Sequence, residues 1–214
     1  ILTSLNSFDF LPFFLILAFS NILNKINLLI SYFCEELHNQ DNNTVWNVLG
    51  QRIMKVAILT TGGTFDKIYF DANSEYSIGE PCIKSILDEG NVTSDFRIKS
   101  ILKKDSLDIT SEEREIIRKS VEECEEEKII IIHGTDTMVE TAKHLESIKD
   151  KTIVLTGSMQ PARFRKTDAI FNSGFALAAT TCLEFGVYIT MNGKVFKSDN
   201  VRKNIDLGKF EIKE

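Results

Sequence analysis

Lys55-Val-Ala-Ile-Leu-Thr-Thr-Gly-Gly-Thr-Phe-Asp-Lys-Ile-Tyr69 is the stretch on which the fold turns. Val56–Leu59 is a short apolar, partly β-branched run, the composition of a strand buried on both faces of a parallel sheet. At Thr60–Thr64 it gives way to hydroxyls and two glycines, which let the backbone take positive φ and let another group approach the main chain closely. The Tyr69 phenol follows five residues after Thr64. In open α/β sheets the ligand crevice lies beyond the carboxyl ends of the strands, so this loop is a candidate site. A strand-to-loop turn with solvated threonines accounts for the same residues, because Gly-Gly turns are common.

Working downstream, Gly79 and Pro81 mark a turn, followed by a short helix over Ile83–Glu89 that Gly90 stops. Asp95–Leu102 alternates as a strand, with Phe96, Ile98 and Ser100 opposite Arg97, Lys99 and Ile101. Lys103–Asp108 is a polar loop. Thr110 and Glu113 have the spacing of a capping box, opening a helix through Glu126 with Ile116, Ile117, Val121 and Cys124 on its apolar stripe. The acidic run Glu122–Glu127 is expected to be its solvated face and end.

Lys128–Ile132, a lysine and four isoleucines, is a central parallel strand by composition. It delivers His133-Gly134-Thr135-Asp136-Thr137 to the same sheet edge as the first loop. Thr137 and Glu140 predict a second capping box, on a helix carrying Met138, Thr141, Ala142 and Leu145. Thr152–Leu155 is a third strand, ending in Thr156-Gly157-Ser158-Met159 with Pro161 closing the turn. Asp168–Thr181 is predicted as a largely buried helix, and Gly186–Met191 as a strand leading to the tight-turn pair Asn192-Gly193. Lys194–Glu214 is polar and basic before an acidic end. Strands and helices alternate without internal repeat, which predicts a three-layer α/β fold: a mostly parallel sheet, helices on both faces, and the active site at the carboxyl ends of the strands.

With 214 residues, there is enough chain for one domain with a sizeable core. The net charge of −6 argues against a general nucleic-acid binder. Cys34, Cys82, Cys124 and Cys182 are far apart and form neither a disulfide framework nor a zinc site, so reduced thiols in a cytoplasmic protein are the simplest reading. His38, His133 and His144 are too scattered for a metal centre. Residues 1–53 differ in character from the rest. Their apolar run Phe10–Phe19 is interrupted by Pro12, is short of the roughly 20 residues a membrane span needs, and precedes the first basic residue, Lys25, which does not suit a signal peptide. We expect the native domain to occupy 54–214, starting at Met54, with the upstream part a non-native or disordered extension from upstream translation. A weak membrane anchor is the alternative.

Three strand ends carry hydroxyls and glycines: Thr64, Thr135 with Asp136, and Ser158. A threonine hydroxyl is a poor nucleophile unless a base takes its proton and a nearby cation lowers the cost. Asp136 is suited to orient a lysine ammonium, and the loop amides to stabilise an oxyanion. His133, behind four isoleucines, is expected to be a buried, hydrogen-bonded histidine rather than a base. No Ser-His-Asp pattern or nucleophile elbow is visible.

Thr61-Gly62-Gly63-Thr64 after a first strand, followed by His133-Gly134-Thr135-Asp136-Thr137-Met138, resembles the double signature of the bacterial-type L-asparaginases. Asp105-Ser106, Thr156-Gly157-Ser158-Met159-Gln160-Pro161 and Val201-Arg202-Lys203-Asn204 extend the resemblance, which runs from Met54 to the C-terminus and is nearest to the short single-domain members. It implies hydrolysis of L-asparagine to aspartate and ammonia without metal or cofactor. Thr64 would be the nucleophile, and Tyr69, on a flexible lid segment, would help activate it. Thr135, Asp136 and a lysine would form a second triad. Gly63 would line the substrate pocket, Ser106 and the Gly134 amide would bind the α-carboxylate, Asp136 the α-ammonium, and the Ser158 backbone would face the amide. The resemblance puts the catalytic lysine just after the long helix, but Thr181–Glu184 has none, so Lys203 is the substitute, with Lys194 and Lys197 behind it. Leu107 stands where the two-domain enzymes have a substrate-binding glutamine. L-Glutamine or another small amide is an alternative substrate. A non-catalytic amino-acid-binding protein is the alternative class. A nucleotide module is disfavoured by the lack of a Gly-Lys-Ser/Thr ending. The family also implies a homodimer or higher homo-oligomer, and neither membrane nor nucleic acid as partner.

Overall fold

The short apolar runs pair with one another. The computed structural model describes residues 55–70 and 75–213, and the expectations for residues 1–53 fall outside them. In chain order the strands and helices are β1 (Val56–Gly62), β2 (Lys67–Phe70), β3 (Glu75–Ile78), α1 (Ile83–Glu89), β4 (Phe96–Lys104) and α2 (Ser111–Glu122). They continue with β5 (Lys128–Ile132), α3 (Met138–His144), β6 (Thr152–Thr156), α4 (Ala169–Cys182), β7 (Gly186–Met191), β8 (Lys194–Lys197), β9 (Arg202–Asn204) and β10 (Lys209–Glu211). The main sheet has the order β4-β1-β5-β6-β7-β8, parallel except for β8. β2 pairs with β3, and β9 with β10, as separate hairpins.

Alternation along the buried strands separates two cores. Ala57, Leu59, Ile129, Ile131, Ile153 and Leu155 face α2 and α3 through Ile117, Val121, Met138, Ala142 and Leu145. Val56, Ile58, Ile130, Ile132 and Val154 face α1 and α4 through Ile83, Leu87, Ala169 and Ala176. Each fully buried aliphatic side chain contributes roughly 1.5–3 kcal/mol relative to exposure. This is the expected three-layer α/β architecture. Val201 and Phe210 are buried in the first core and fasten the β9–β10 hairpin to it.

From β1 the chain steps out to β4 and then back across β1 to β5. At such a reversal of strand order the loops diverge and leave a crevice at the carboxyl ends. The loops after β1, β4, β5 and β6 carry the expected site residues, apart from Tyr69 on β2 and Lys203 on β9.

The capping box of α2 forms as expected, with Thr110 accepting from the Glu113 amide and Glu113 from the Thr110 amide. Several other expectations are corrected. α2 ends at Glu122 rather than Glu126, and Ile116 is half-exposed. Glu126 is not solvated: it is buried and takes the Arg97 guanidinium on both oxygens, at 3.0 and 2.7 Å. The second capping box does not form, because the Thr137 hydroxyl donates to Ser106 O at 2.7 Å and Glu140 pairs with Arg114. α4 is buried on one face only, with Ile170 and Phe171 57% and 60% exposed. The polar tail folds into β8, β9 and β10.

Candidate active site

β1 leaves the sheet irregularly. Its register with β4 slips between Thr60 and Gly62, and the Thr61 hydroxyl donates to Ile132 O on β5 at 3.2 Å. Gly62 and Gly63 then take φ of +96° and +68°, a region that side-chain-bearing residues avoid. A Cβ on Gly63 would lie 2.6 Å from the Gly134 main chain. A Cβ on Gly134 would lie 2.6 Å from the Ser106 side chain, and one on Gly157 would lie 2.2 Å from His133 O. Four loops therefore press on one another with no room for side chains between them.

Thr64 is half-buried at the start of a 3-10 turn, Thr64–Asp66. Asp66 behind it is buried. Its carboxylate accepts from Cys82 N at 2.8 Å and its carbonyl from Gly79 N at 2.8 Å, which ties the turn to the chain leaving β3. Burial pushes the Asp66 carboxyl up to about 6, against the opposing pull of the Cys82 amide and of Arg163. Tyr69 lies on β2 opposite Tyr76.

The loop after β5 is held by side chains. The buried His133 ring meets Gly134 O through Nδ1 at 2.7 Å and the Thr141 hydroxyl through Nε2 at 2.9 Å. Burial lowers its pKa to about 4, so the ring is neutral near pH 7. A carbonyl only accepts, so Nδ1 carries the proton and Nε2 accepts from Thr141. His133 is thus hydrogen-bonded on both nitrogens and sealed from solvent, as the sequence reading expected.

Lys203, from β9, reaches this loop. Its ammonium donates to Thr135 Oγ1 at 2.8 Å and to Asp136 Oδ1 at 2.7 Å, with 14% of the side chain exposed. Lys194 and Lys197 lie exposed on β8, and among the described residues Lys203 is the lysine that contacts this pair. A lysine between a hydroxyl and a carboxylate has the chemistry to pass a proton: the carboxylate can orient the ammonium, and the ammonium can stabilise an oxyanion on the hydroxyl.

Ser106 follows β4 and is buried, and its Oγ has no partner among the described residues. A buried hydroxyl left over at the wall of a crevice suits a ligand's acceptor. The preceding Asp105 accepts from Leu107 N at 3.2 Å and pairs with Lys67 at 2.7 Å. Burial raises its carboxyl, but Lys67 and the Leu107 and Ser106 amides outweigh that and hold it below the usual range. Lys67 was not among the expected site residues, because its pairing with Asp105 depends on where the β2–β3 hairpin lies. Leu107 is 71% exposed. Lys67, Ile78, Lys103, Lys104, Asp105 and Asp108 line an open cleft of about 610 Å³ beside Ser106. A second cleft, of about 270 Å³, is lined by Ile148, Lys149, Phe185, Tyr188 and Lys197; of the expected site residues it holds the fallback lysine Lys197, and the first cleft adjoins Ser106 through Asp105.

Ser158, after β6, is buried and donates its hydroxyl to Gln160 O at 2.6 Å. The amides of Met159 and Gln160 are taken by Asp168. Neither Asp168 nor Asn172 beside it was singled out in the sequence. Their spacing of four at a helix start is the one signal that pairs them.

Comparison with known proteins places this arrangement. The family model described as "Asparaginase, N-terminal" matches residues 55–206. A glutaminase-asparaginase of Acinetobacter glutaminasificans is 30% identical over 171 residues, covering 71% of this chain and 50% of that protein. A probable periplasmic L-asparaginase of Haemophilus influenzae is 30% identical over 159 residues, covering 69% and 46%. The structure of the thermostable L-asparaginase from Thermococcus kodakarensis superimposes with a TM-score of 0.66 at 28% identity, covering 74% of this chain and 51% of that one. The chain spans about half the length of these relatives. With most of its described residues matched by that model, the chain belongs to the asparaginase family through the family's N-terminal domain.

Proposed function

We propose that the protein hydrolyses L-asparagine to L-aspartate and ammonia through a threonine-bound acyl-enzyme. The observation that carries this reading is the Lys203–Thr135–Asp136 chain, set on the loop whose Gly134 is stacked between Gly63 and Ser106. An amino-acid zwitterion needs an anion for its ammonium and donors for its carboxylate. Asp136 supplies the first; the Ser106 hydroxyl and the Gly134 amide supply the second. Thr64 Oγ1 attacks the side-chain carbonyl, Tyr69 assists the transfer of the hydroxyl proton to the amide nitrogen, and the tetrahedral oxyanion collapses with departure of ammonia. Water then cleaves the threonine ester, with Thr135 and Lys203 moving the proton and Asp136 holding the ammonium. The Ser158 backbone faces the amide. Every step uses groups of this chain and one water, so the reading needs no metal or cofactor.

L-Glutamine is the second substrate we propose, because one relative is named a glutaminase-asparaginase. A homodimer is the assembly proposed, testable by light scattering at a concentration where activity persists. No helix among the described residues is long and apolar enough to cross a membrane. Free Cys82, Cys124 and Cys182 suit a reducing cytoplasm, and cell fractionation checks that location.

The test is ammonia release by the purified chain on L-asparagine, L-glutamine and D-asparagine. Turnover of the L-amides with little or none of the D-isomer is expected. No turnover on any amide, with L-aspartate still binding, would make this a binding protein.

A further inference from the structure

Helix α4 opens with Asp168, and an aspartate there ordinarily turns its carboxylate onto the first amides of its own helix. Here it does not. The Thr167 hydroxyl accepts from Ala169 N at 3.1 Å, and the Asp168 carboxylate points to the loop after β6. Both of its oxygens accept from Met159 N at 3.0 Å, and Oδ1 accepts from Gln160 N at 3.1 Å. One turn along the helix, the buried Asn172 amide donates to Asp168 Oδ2 and to Gly157 O, each at 2.9 Å. One carboxylate and one carboxamide therefore hold the backbone from Gly157 to Gln160 at three of its four residues.

The matching works in one sense only. Three N–H groups converge on Asp168, which has acceptors and no donor. Asn172 faces two acceptors with the two hydrogens of its amide. Between these anchors sits Ser158, buried, with its hydroxyl already bonded to Gln160 O. On the other side, Gly157 lies against His133 O so closely that no Cβ fits, and His133 N donates to Thr156 O at 2.8 Å. The clamp thus fixes the loop that adjoins the base of the His133–Asp136 loop.

We propose that Asp168 and Asn172 are positioning residues, which hold the Gly157–Gln160 main chain in register with the amide under attack. This inference rests on the amide-hydrolysis reading above. Neither side chain touches substrate; both act through the loop. A misplacement of about 1 Å at such a distance from the chemistry can cost on the order of 100-fold in rate. Asp168→Asn removes one acceptor and turns an NH2 group against amide N–H groups. Exchanging the two, Asp168→Asn with Asn172→Asp, does not restore the pattern, because it puts a carboxylate against Gly157 O.

The experiment measures two things on the full chain for wild type, Asp168→Asn, Asn172→Ala and the exchanged pair. These are kcat and KM on L-asparagine, and hydrogen exchange at the Met159 and Gln160 amides. Asp168→Asn is expected to lower kcat about 10- to 100-fold, to leave KM within about threefold, and to speed exchange at both amides in a protein that still unfolds cooperatively. Asn172→Ala, the variant to rely on if Asp168→Asn does not fold, is expected to lower kcat in the same sense. The exchanged pair is expected to be no better than Asp168→Asn. Unchanged kcat, a loss confined to KM, or unchanged exchange at Met159 and Gln160 would each overturn the proposal. If the wild type releases no ammonia, the hydrolase reading fails by itself. Exchange then still decides the clamp: faster exchange in Asp168→Asn keeps it as a holder of the loop, and unchanged exchange removes it.

Discussion

The loops after β1 and β5 leave neighbouring parallel strands, and each presents a glycine followed by a threonine, yet different forces hold them. Gly63-Thr64 is held by close main-chain packing and by its neighbour Asp66. Its glycine fits against Gly134 only because it lacks a Cβ, and its turn is tied down by the carbonyl and carboxylate of Asp66. Gly134-Thr135-Asp136 is held by side chains, through the doubly bonded His133 and the ammonium of Lys203. The first loop is fastened by its own turn residue Asp66 and by the close approach of Gly63 to Gly134 and Lys104. The second is completed by a residue that a separate hairpin brings from the far end of the domain.

The contrast predicts how each loop fails. Thr64→Ala should have the largest effect, lowering ammonia release about 10^4-fold or more, while thermal melting changes little because no packing is lost. Lys203→Ala should come next, at about 10^2- to 10^4-fold, with Lys194→Ala and Lys197→Ala close to wild type in the same assay. If Lys197→Ala matched Lys203→Ala, the assignment of the lysine would fail.

Stability separates the loops further. Burial pushes the Asp66 carboxyl up to about 6, from an ordinary value of 3.8. Its contribution is therefore fully present below about pH 3.8 and lost as pH rises through about 6, because ionisation is then paid for in a buried site. The difference between about 6 and 3.8 corresponds to a free energy on the order of 3 kcal/mol. Asp66→Asn keeps an acceptor for Cys82 N and cannot ionise. Urea unfolding should find it close to wild type near pH 4 and more stable near pH 8, by up to that amount. Equal pH dependence in the two proteins would contradict the buried carboxylate.

Two glycine substitutions have smaller effects of opposite sign. Gly134→Ala drives a Cβ into Ser106 and should cost about 1–3 kcal/mol in the same unfolding assay, with loss of L-aspartate binding. Gly174→Ala, on the outer face of α4 where an added Cβ meets nothing, should stabilise by about 0.5–1 kcal/mol.

What the sequence revealed follows the same division. β5 was legible to the residue because a run of isoleucines buried on both faces has one stable place, the middle of a parallel sheet. The Thr110–Glu113 capping box was legible because all of its partners lie within one turn. Thr137 and Glu140 have the same pattern, but tertiary partners, Ser106 O and Arg114, outcompete the local bonds. The outer face of α4 was not legible because small and apolar residues without charge do not reveal which side meets the sheet. Glu126 was hidden for the converse reason: Arg97, on β4, pairs with its buried carboxylate. Family resemblance singled out Lys203 as a candidate, but its contact with Thr135 and Asp136 depends on how Val201 and Phe210 dock the β9–β10 hairpin. Asp168 was read as a helix start, although its carboxylate serves a loop that precedes it.

The central claim is that the two threonine loops act as one catalytic unit on a single amide. The most direct measurement is a double-mutant cycle in ammonia release from L-asparagine, with Thr64→Ala, Lys203→Ala and the two combined. Groups that act as a unit are strongly non-additive. The double variant is expected to be no slower than Thr64→Ala alone, within about twofold. Losses that multiply would show Thr64 and Lys203 working independently, and would contradict the claim.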